Sequence, residues 1–404
     1  MLGLFKYTEK KLVKDIINVL PQFYDSPIVS YNKNQREITV RNKGDDESGA
    51  GIIFLGNIFE KVKNLSKTER VRIIEDFVST TKLFETLDPE VFMASLALRA
   101  RTPYDISIRN MLTHRHTKEP FSSTYYEAGG MFLELVFDTE ENVSNVTDTK
   151  LKEAELSVDE AYKIAAARLH RATDAAQWQQ VDDRIWVSSY RDDYDIARII
   201  AAKDENKFPF DDIPVLFFPS HSVCLITNTQ DAETVNKLIN YGNQLSQDER
   251  PLSQELWTIK SDGIYPLDLG ANPQIEEIVQ LQRYQEESIQ YDGQQGILNR
   301  NLEDKDDYFV AGYKVYKGDE GLYSQCVYSI NLPTLLPKAE KVAIVDPEDL
   351  NEDTSIWGLM NWEQFETILG DSMVKMTDLI PDRYELLEPI SEKQKEELRK
   401  QAVR

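Results

Sequence analysis

Between Lys10 and Leu20 apolar residues recur three and four positions apart: Leu12, Val13, Ile16, Ile17 and Leu20 share one face and Lys11, Lys14 and Asp15 the other. That period predicts an amphipathic helix stopped at Pro21. The pattern then shortens to the runs Ile28-Val29-Ser30-Tyr31 and Glu37-Ile38-Thr39-Val40 on either side of Asn32-Lys33-Asn34-Gln35, which predicts a β-hairpin. Beyond a stretch rich in Gly and Asp, helical spacing returns from Ile52 to Val62 and from Glu69 to Phe84. Ser66 and Glu69 form a capping box at the start of the second of these helices, and two antiparallel helices are the simplest arrangement.

In the middle of the chain Met131 to Phe137 reads as a strand buried on at least one face. A helix follows from Val158 to Arg171, with Ser157 and Glu160 as a capping box and a narrow face of Ala161, Ile164, Ala165, Arg168 and Leu169. Arg184 to Tyr190 reads as another strand. The runs Pro214 to Phe218 and Val223 to Thr227 around Pro219-Ser220-His221-Ser222 predict a hairpin, backed by a helix from Asp231 to Leu245. A polar helix from Pro273 to Tyr291 leads to Gly293-Gln294-Gln295-Gly296 and the acidic run Glu303 to Asp307, where a boundary is expected. Strands at Val310 to Tyr316, Leu322 to Ile330 and Val342 to Val345 come next, then a short helix at Trp362 to Leu369 and a charged terminal helix from Glu392. No repeat of fixed period is evident.

The expected fold is therefore α+β, with mixed sheets and packed helices in two or three sub-domains. Residues 1–125 form a helical and hairpin region, 126–270 an α+β core, 271–307 a polar helix with an acidic linker, and 308–404 a C-terminal α+β region. A chain of 404 residues exceeds the size of one ordinary core, and its 41% of aliphatic, aromatic and Cys residues suffices to bury several. No apolar run approaches the length needed to cross a bilayer, and the start, Met1 to Lys6, gives way to Lys10, Lys11 and Lys14 without a secretion signal. Cys224 and Cys326 each lie in an apolar β-like run, as small buried hydrophobes do in a reducing compartment. A cytoplasmic location is expected. The net charge of -24 repels phosphate and anionic lipid, which points away from nucleic acid and membrane surfaces and toward a protein or small-molecule partner.

Few motifs carry chemistry. Gly44 to Gly51 has the glycines of a phosphate cradle, but Asp45, Asp46 and Glu47 oppose an anion and no Gly-Lys-Ser/Thr follows, so a connector is the expectation and no cofactor is assigned. His114-Arg115-His116 has metal-ligand types at alternate positions, which makes His114 and His116 the metal candidates, against a solvated basic loop. His221 and Cys224 could form a base and nucleophile, against a buried inert thiol. The richest polar segment is Tyr190 to Arg198. There Asp195 falls near a helix start with Arg198 three positions on, so Tyr194, Asp195 and Arg198 either line a polar pocket or form a capped, ion-paired turn.

At these residues the chain resembles the YtpQ-like proteins, a bacterial family of unknown function. Asp193-Tyr194-Asp195-Ile196-Ala197-Arg198-Ile199 is similar to that family's Gly-Tyr-Asp-Ala-Ser-Arg-Ile/Leu segment, and Pro214 to Thr227 is similar to its apolar strand, Pro-turn, apolar strand unit. Ala197 stands where the family has Ser and Asp193 where it has Gly. The resemblance runs from about Met131 to Asp268, more weakly back to Ile53, and implies a bacterial cytoplasmic α+β protein without implying an activity, a cofactor or a catalytic residue.

Two functions are compatible with this reading. The first is a non-enzymatic interaction or regulatory factor, whose acidic surface and C-terminal aromatics, Tyr313, Tyr316, Tyr323, Trp357 and Trp362, engage a protein partner. Core packing is the alternative for those rings. The second is a hydrolase with Asp195 and a second carboxylate as base or metal ligand and Arg198 as anion stabiliser.

Overall fold

The computed structural model describes residues 7–33, 36–43, 51–82, 89–113, 125–138, 143–173, 177–201, 208–247, 251–268, 272–301, 308–319, 321–348 and 355–403. Up to residue 157 the chain forms α1 (Glu9–Val19), β1 (Ile28–Asn32), β2 (Glu37–Arg41), β3 (Gly51–Phe54), α2 (Leu55–Val62), α3 (Lys67–Lys82), α4 (Pro89–Ser95), β4 (Leu96–Arg101) and α5 (Pro103–Thr113). β5 (Tyr125–Ala128), β6 (Met131–Asp138), β7 (Val143–Asn145) and α6 (Asp148–Glu153) complete this part. The fold is α+β, and two compact units share it: residues 1–96 with 136–157, and residues 97–135 with 158–404.

In the first unit β1, β2 and β3 make an antiparallel sheet in that order, with Tyr31 opposite Ile38 and Ile38 opposite Ile53. Its buried face meets α1, α2 and α3 in one core around Leu12, Ile16, Ile38, Ile53, Ile58 and Ile74. Two expectations change here. The segment 51–54 is a strand rather than the first turn of a helix, because Ile52 and Ile53 extend the sheet along β2 and the helix starts only at Leu55. In α1 the buried stripe is Leu12, Val13, Ile16 and Val19, while Ile17 is 38% exposed, so the face is rotated toward Val19. The capping box of α3 is present: the Ser66 N–H donates to Glu69 at 3.0 Å and the Glu69 N–H to the Ser66 hydroxyl at 3.4 Å.

The second unit continues with α7 (Val158–Arg171), β8 (Trp178–Asp182), β9 (Ile185–Ser188), α8 (Asp195–Ala201), β10 (Val215–Ser220), β11 (Val223–Thr227), α9 (Ala232–Leu245), β12 (Leu256–Lys260) and β13 (Gly263–Pro266). The strands form a six-stranded antiparallel sheet in the order β13-β12-β10-β11-β9-β8. β10 and β11 are apolar on both faces and turn through His221-Ser222, as their composition predicts. α9, capped by Asp231, which accepts from the Thr234 N–H at 2.9 Å, lays Val235, Leu238 and Ile239 into the core of Phe217, Leu225 and Leu256. Elsewhere in the unit the buried Glu134 of β6 receives Arg101 of β4 at 2.6 Å and Arg109 of α5, a charged triad fixed by charge-assisted hydrogen bonds.

α10 (Glu276–Asn301) runs unbroken through Gly293 and Gly296, where the sequence suggested an end near Tyr291. At 293 the missing side chain serves close approach rather than a break: a Cβ there would overlap the Tyr104 hydroxyl of α5. The chain ends in β14 (Phe309–Val310), β15 (Tyr313–Gly318), β16 (Gly321–Ser329), β17 (Thr334–Pro337), β18 (Lys341–Val345), β19 (Ile356–Asn361), α11 (Trp362–Leu369), β20 (Val374–Lys375), β21 (Arg383–Leu386) and α12 (Glu392–Gln401). Two four-stranded sheets result, β14-β17-β21-β20 and β15-β16-β18-β19. Tyr291, Tyr313, Tyr328, Trp357, Trp362 and Phe365 belong to the core between these sheets and their helices. Arg383 is wholly buried. It donates to the carbonyls of Ala311 (2.9 Å) and Leu335 (2.8 Å) and to Gln294 Oε1 (3.2 Å), and lack of solvent lowers its pKa to about 10.

Candidate functional site

The segment Tyr190 to Arg198 links β9 to α8. Arg191 and Asp193 take left-handed backbone conformations, φ 51° and 68°, so position 193 demands what a Gly gives freely and an Asp tolerates better than most side chains. The turn brings the three sequence candidates together. Arg198 Nη1 donates to Asp192 Oδ1 at 2.6 Å and Nη2 to Oδ2, a bidentate pair. Asp195 Oδ1 lies 3.5 Å from Arg198 Nη1 and accepts the Ser188 hydroxyl, while the guanidinium sits 3.9 Å over the Tyr190 ring. Tyr194 contributes backbone: its N–H donates to Asp192 Oδ1 at 3.2 Å and its carbonyl accepts the Arg198 N–H at 2.9 Å.

Asp195 has no exposed surface and Arg198 only 3%. Burial raises the Asp195 pKa to about 6, against the opposing hydrogen bond from Ser188. Arg198 is already engaged by two carboxylate oxygens, and Asp195 is sealed from solvent, so the arrangement ties α8 to β9 and offers neither group to a substrate.

The other candidates separate. His114 and His116 lie outside the described residues, as do residues 44–50, and Gly51 opens β3. Among the described residues no group of three or more His, Cys, Asp or Glu is placed to hold a metal ion. His221 is buried in the β10–β11 turn, and burial pushes the Cys224 thiol well above its ordinary range, which removes the thiolate a nucleophile needs. Of the C-terminal aromatics Tyr313, Trp357 and Trp362 are core residues, whereas Tyr316, 45% exposed, stacks on Tyr323 at 5.9 Å.

A site absent from the sequence reading lies along α10. Gln280, Arg283, Tyr284, Glu287 and Tyr291 form one helical stripe, and it walls a cleft of about 920 Å³ completed by Ser324, by Lys338 to Glu340, by Asn361, Trp362, Glu363 and Glu366 at the start of α11, and by Pro381 and Asp382. Tyr284 donates to Glu340 Oε1 at 2.7 Å, the Ser324 N–H holds Glu340 Oε2 at 3.0 Å, and Gln280 Nε2 donates to the Tyr284 hydroxyl at 3.0 Å. Glu287 accepts the Tyr313 hydroxyl, and its burial lifts the carboxyl above the ordinary range. Tyr291 donates to the Asp382 carbonyl at 2.8 Å and accepts the Lys338 N–H at 3.2 Å. The lining therefore carries Glu287, Glu340, Glu363, Glu366 and Asp382 against Arg283 and Lys338, beside the rings of Tyr284, Tyr291 and Trp362. Its signal was the spacing of Tyr284, Glu287 and Tyr291 within a helix polar enough to pass for a solvated one.

Comparison with known proteins gives no match: no family model, no curated protein and no solved structure is significantly similar to the chain.

Proposed function

We propose that this protein is a non-enzymatic interaction factor that receives a positively charged segment of a protein partner in the cleft along α10. The observation that carries this reading is the cleft lining, five carboxylates against two cations around three aromatic rings. The net charge of -24 supports it, because such a field steers basic partners and repels phosphate-bearing ones. Charge complementarity of this kind acts on encounter rate and partner choice more than on raw affinity, which suits a regulator. A bacterial cytoplasmic setting, as the YtpQ-like resemblance implies, belongs to the same proposal. No helix among the described residues is long and apolar enough to cross a membrane.

In this reading Tyr194, Asp195 and Arg198 are a structural anchor, and a hydrolase built on them is not favoured because both side-chain charges are buried and engaged. The test is affinity capture from host lysate at low and at high salt, with the wild-type chain beside Glu363→Lys/Glu366→Lys. Both substituted residues are exposed on α11, so the change reverses charge at the cleft without touching the core. A partner captured at low salt by the wild type and lost from the variant is the expected result. Equal capture by both chains would refute the assignment.

A further inference from the structure

In the sheet β15-β16-β18-β19 the row Tyr313, Cys326, Val342 and Met360 lies in the core. Side chains alternate along a strand, so the next row, Lys314, Gln325, Lys341 and Asn361, belongs to the other face. Tyr316 and Tyr323 stack on that face, and Lys341 Nζ lies 4.1 Å from the Tyr323 ring centroid. Within a chain of net charge -24, these rows hold two lysines and no carboxylate. Lys317 falls on the reverse side of β15. Both it and Lys314 are exposed, and neither makes an ion pair among the described residues.

The two edges of this sheet differ. Beyond β19 the residues after α12 pair with it: the Leu359 N–H donates to the Val403 carbonyl at 2.8 Å and the Val403 N–H to the Leu359 carbonyl at 2.9 Å. Beyond β15 no strand follows among the described residues, and Lys314, Tyr316 and Lys317 on it are exposed. An open edge presents a row of backbone donors and acceptors that another strand can pair. Lysines on such an edge repel a second copy of the same strand and attract one that carries carboxylates.

From this arrangement we infer that β15 is a docking edge for an extended acidic segment of a partner protein. The segment adds as a further strand, with carboxylates beside Lys314 and Lys317 and an apolar side chain against the exposed Tyr316 ring. The backbone favours a peptide over single-stranded nucleic acid, because the N–H and C=O groups of the edge match peptide groups, whereas phosphate oxygens only accept. Of the two stacked rings Tyr323 is already covered by Lys341, which leaves too little ring surface for the successive base stacking that single strands use. The edge is opposite in charge to the cleft along α10, so the two surfaces take different segments.

Isothermal titration calorimetry on the full chain tests this with a capped peptide, Thr-Glu-Thr-Val-Glu-Thr, whose glutamates have the spacing of Lys314 and Lys317. Beside it are measured the same peptide with Lys for Glu, two versions N-methylated at alternate residues in opposite phase, and an oligothymidylate of equal length. The acidic peptide is expected to bind, and the Lys peptide and the oligothymidylate to bind about tenfold more weakly or not at all. The N-methylated version whose blocked groups face β15 is expected to lose binding, since side-chain charge alone does not replace the strand pairing. Lys314→Glu/Lys317→Glu, at two exposed positions, is expected to weaken the acidic peptide about tenfold or more with the melting temperature unchanged. The docking edge is overturned by no binding at millimolar peptide, by equal binding of the Lys peptide or the oligothymidylate, by undiminished binding of both N-methylated versions, or by undiminished binding to the charge-reversed chain.

Discussion

Asp192 meets Arg198 with both carboxylate oxygens, and the same guanidinium lies 3.5 Å from Asp195 and over the ring of Tyr190. One buried cation thus neutralises two acidic side chains and is packed against an aromatic face at the point where β9 hands the chain to α8.

Removing that cation leaves Asp195 buried without its neighbour's charge. Arg198→Met is expected to destabilise the protein by roughly 3 kcal/mol, the usual cost of breaking one side of a buried pair. Arg198→Lys is expected to fall between the two, because an ammonium cannot take both Asp192 oxygens or stack on Tyr190. Urea unfolding followed by circular dichroism measures both. A loss under 1 kcal/mol for the Met variant would mean that the anchor contributes little.

Asp195 adds a pH dependence of known sign. Its pKa rises from 3.8 to about 6 in the folded protein, so between these values the native state holds a proton that the unfolded chain has released. Stability from this group is therefore full below about pH 4 and is lost as pH rises through 6. Asp195→Asn keeps an acceptor for Ser188 and cannot ionise. Its stability relative to wild type should improve by up to about 3 kcal/mol from pH 4 to pH 7, since each pKa unit is worth about 1.4 kcal/mol. Thermal melts across this range check it; a gap constant with pH would mean that Asp195 titrates in the folded state as it does in the unfolded one.

The elements that the sequence revealed are those whose own residues decide them. α7 and the β10–β11 hairpin were legible because apolar period and turn residues agree locally. β3, β4 and α5 were not, since the short run at 51–54 becomes a strand only by pairing with β2, and Leu96 to Arg101 is a strand whose Arg101 is buried through Glu134, thirty-three positions away. For the same reason Asp195 and Arg198 could be placed together from their spacing, but Asp192, the bidentate partner of Arg198, and the burial of the pair could not. The cleft was harder still. Its walls come from α10, β16, the loop before β18, α11 and the residues before β21, which no local pattern connects.

Arg383 offers a test of the polar interior. Its guanidinium bridges the carbonyls of Ala311 and Leu335 and the side chain of Gln294, whose Nε2 in turn donates to the Pro381 carbonyl at 2.8 Å. Gln294→Leu deprives both groups of their partner and is expected to cost about 1–3 kcal/mol. Gly293→Ala, one residue earlier, is expected to destabilise despite the higher helix propensity of Ala, because the added methyl meets Tyr104. Differential scanning calorimetry on both variants measures this. A Gly293→Ala protein as stable as wild type would show that the Tyr104 side chain swings aside without cost.

The claim that a basic partner seats in the α10 cleft is tested most directly by a photocrosslinking residue placed at Lys338, on the cleft, and separately at Tyr241, an exposed position on α9. After irradiation in host lysate, the account expects one partner crosslinked from position 338 through a segment rich in Lys or Arg, suppressed by high salt, and little or none from position 241. Equal crosslinking from both positions, or a segment from 338 without basic residues, would contradict it.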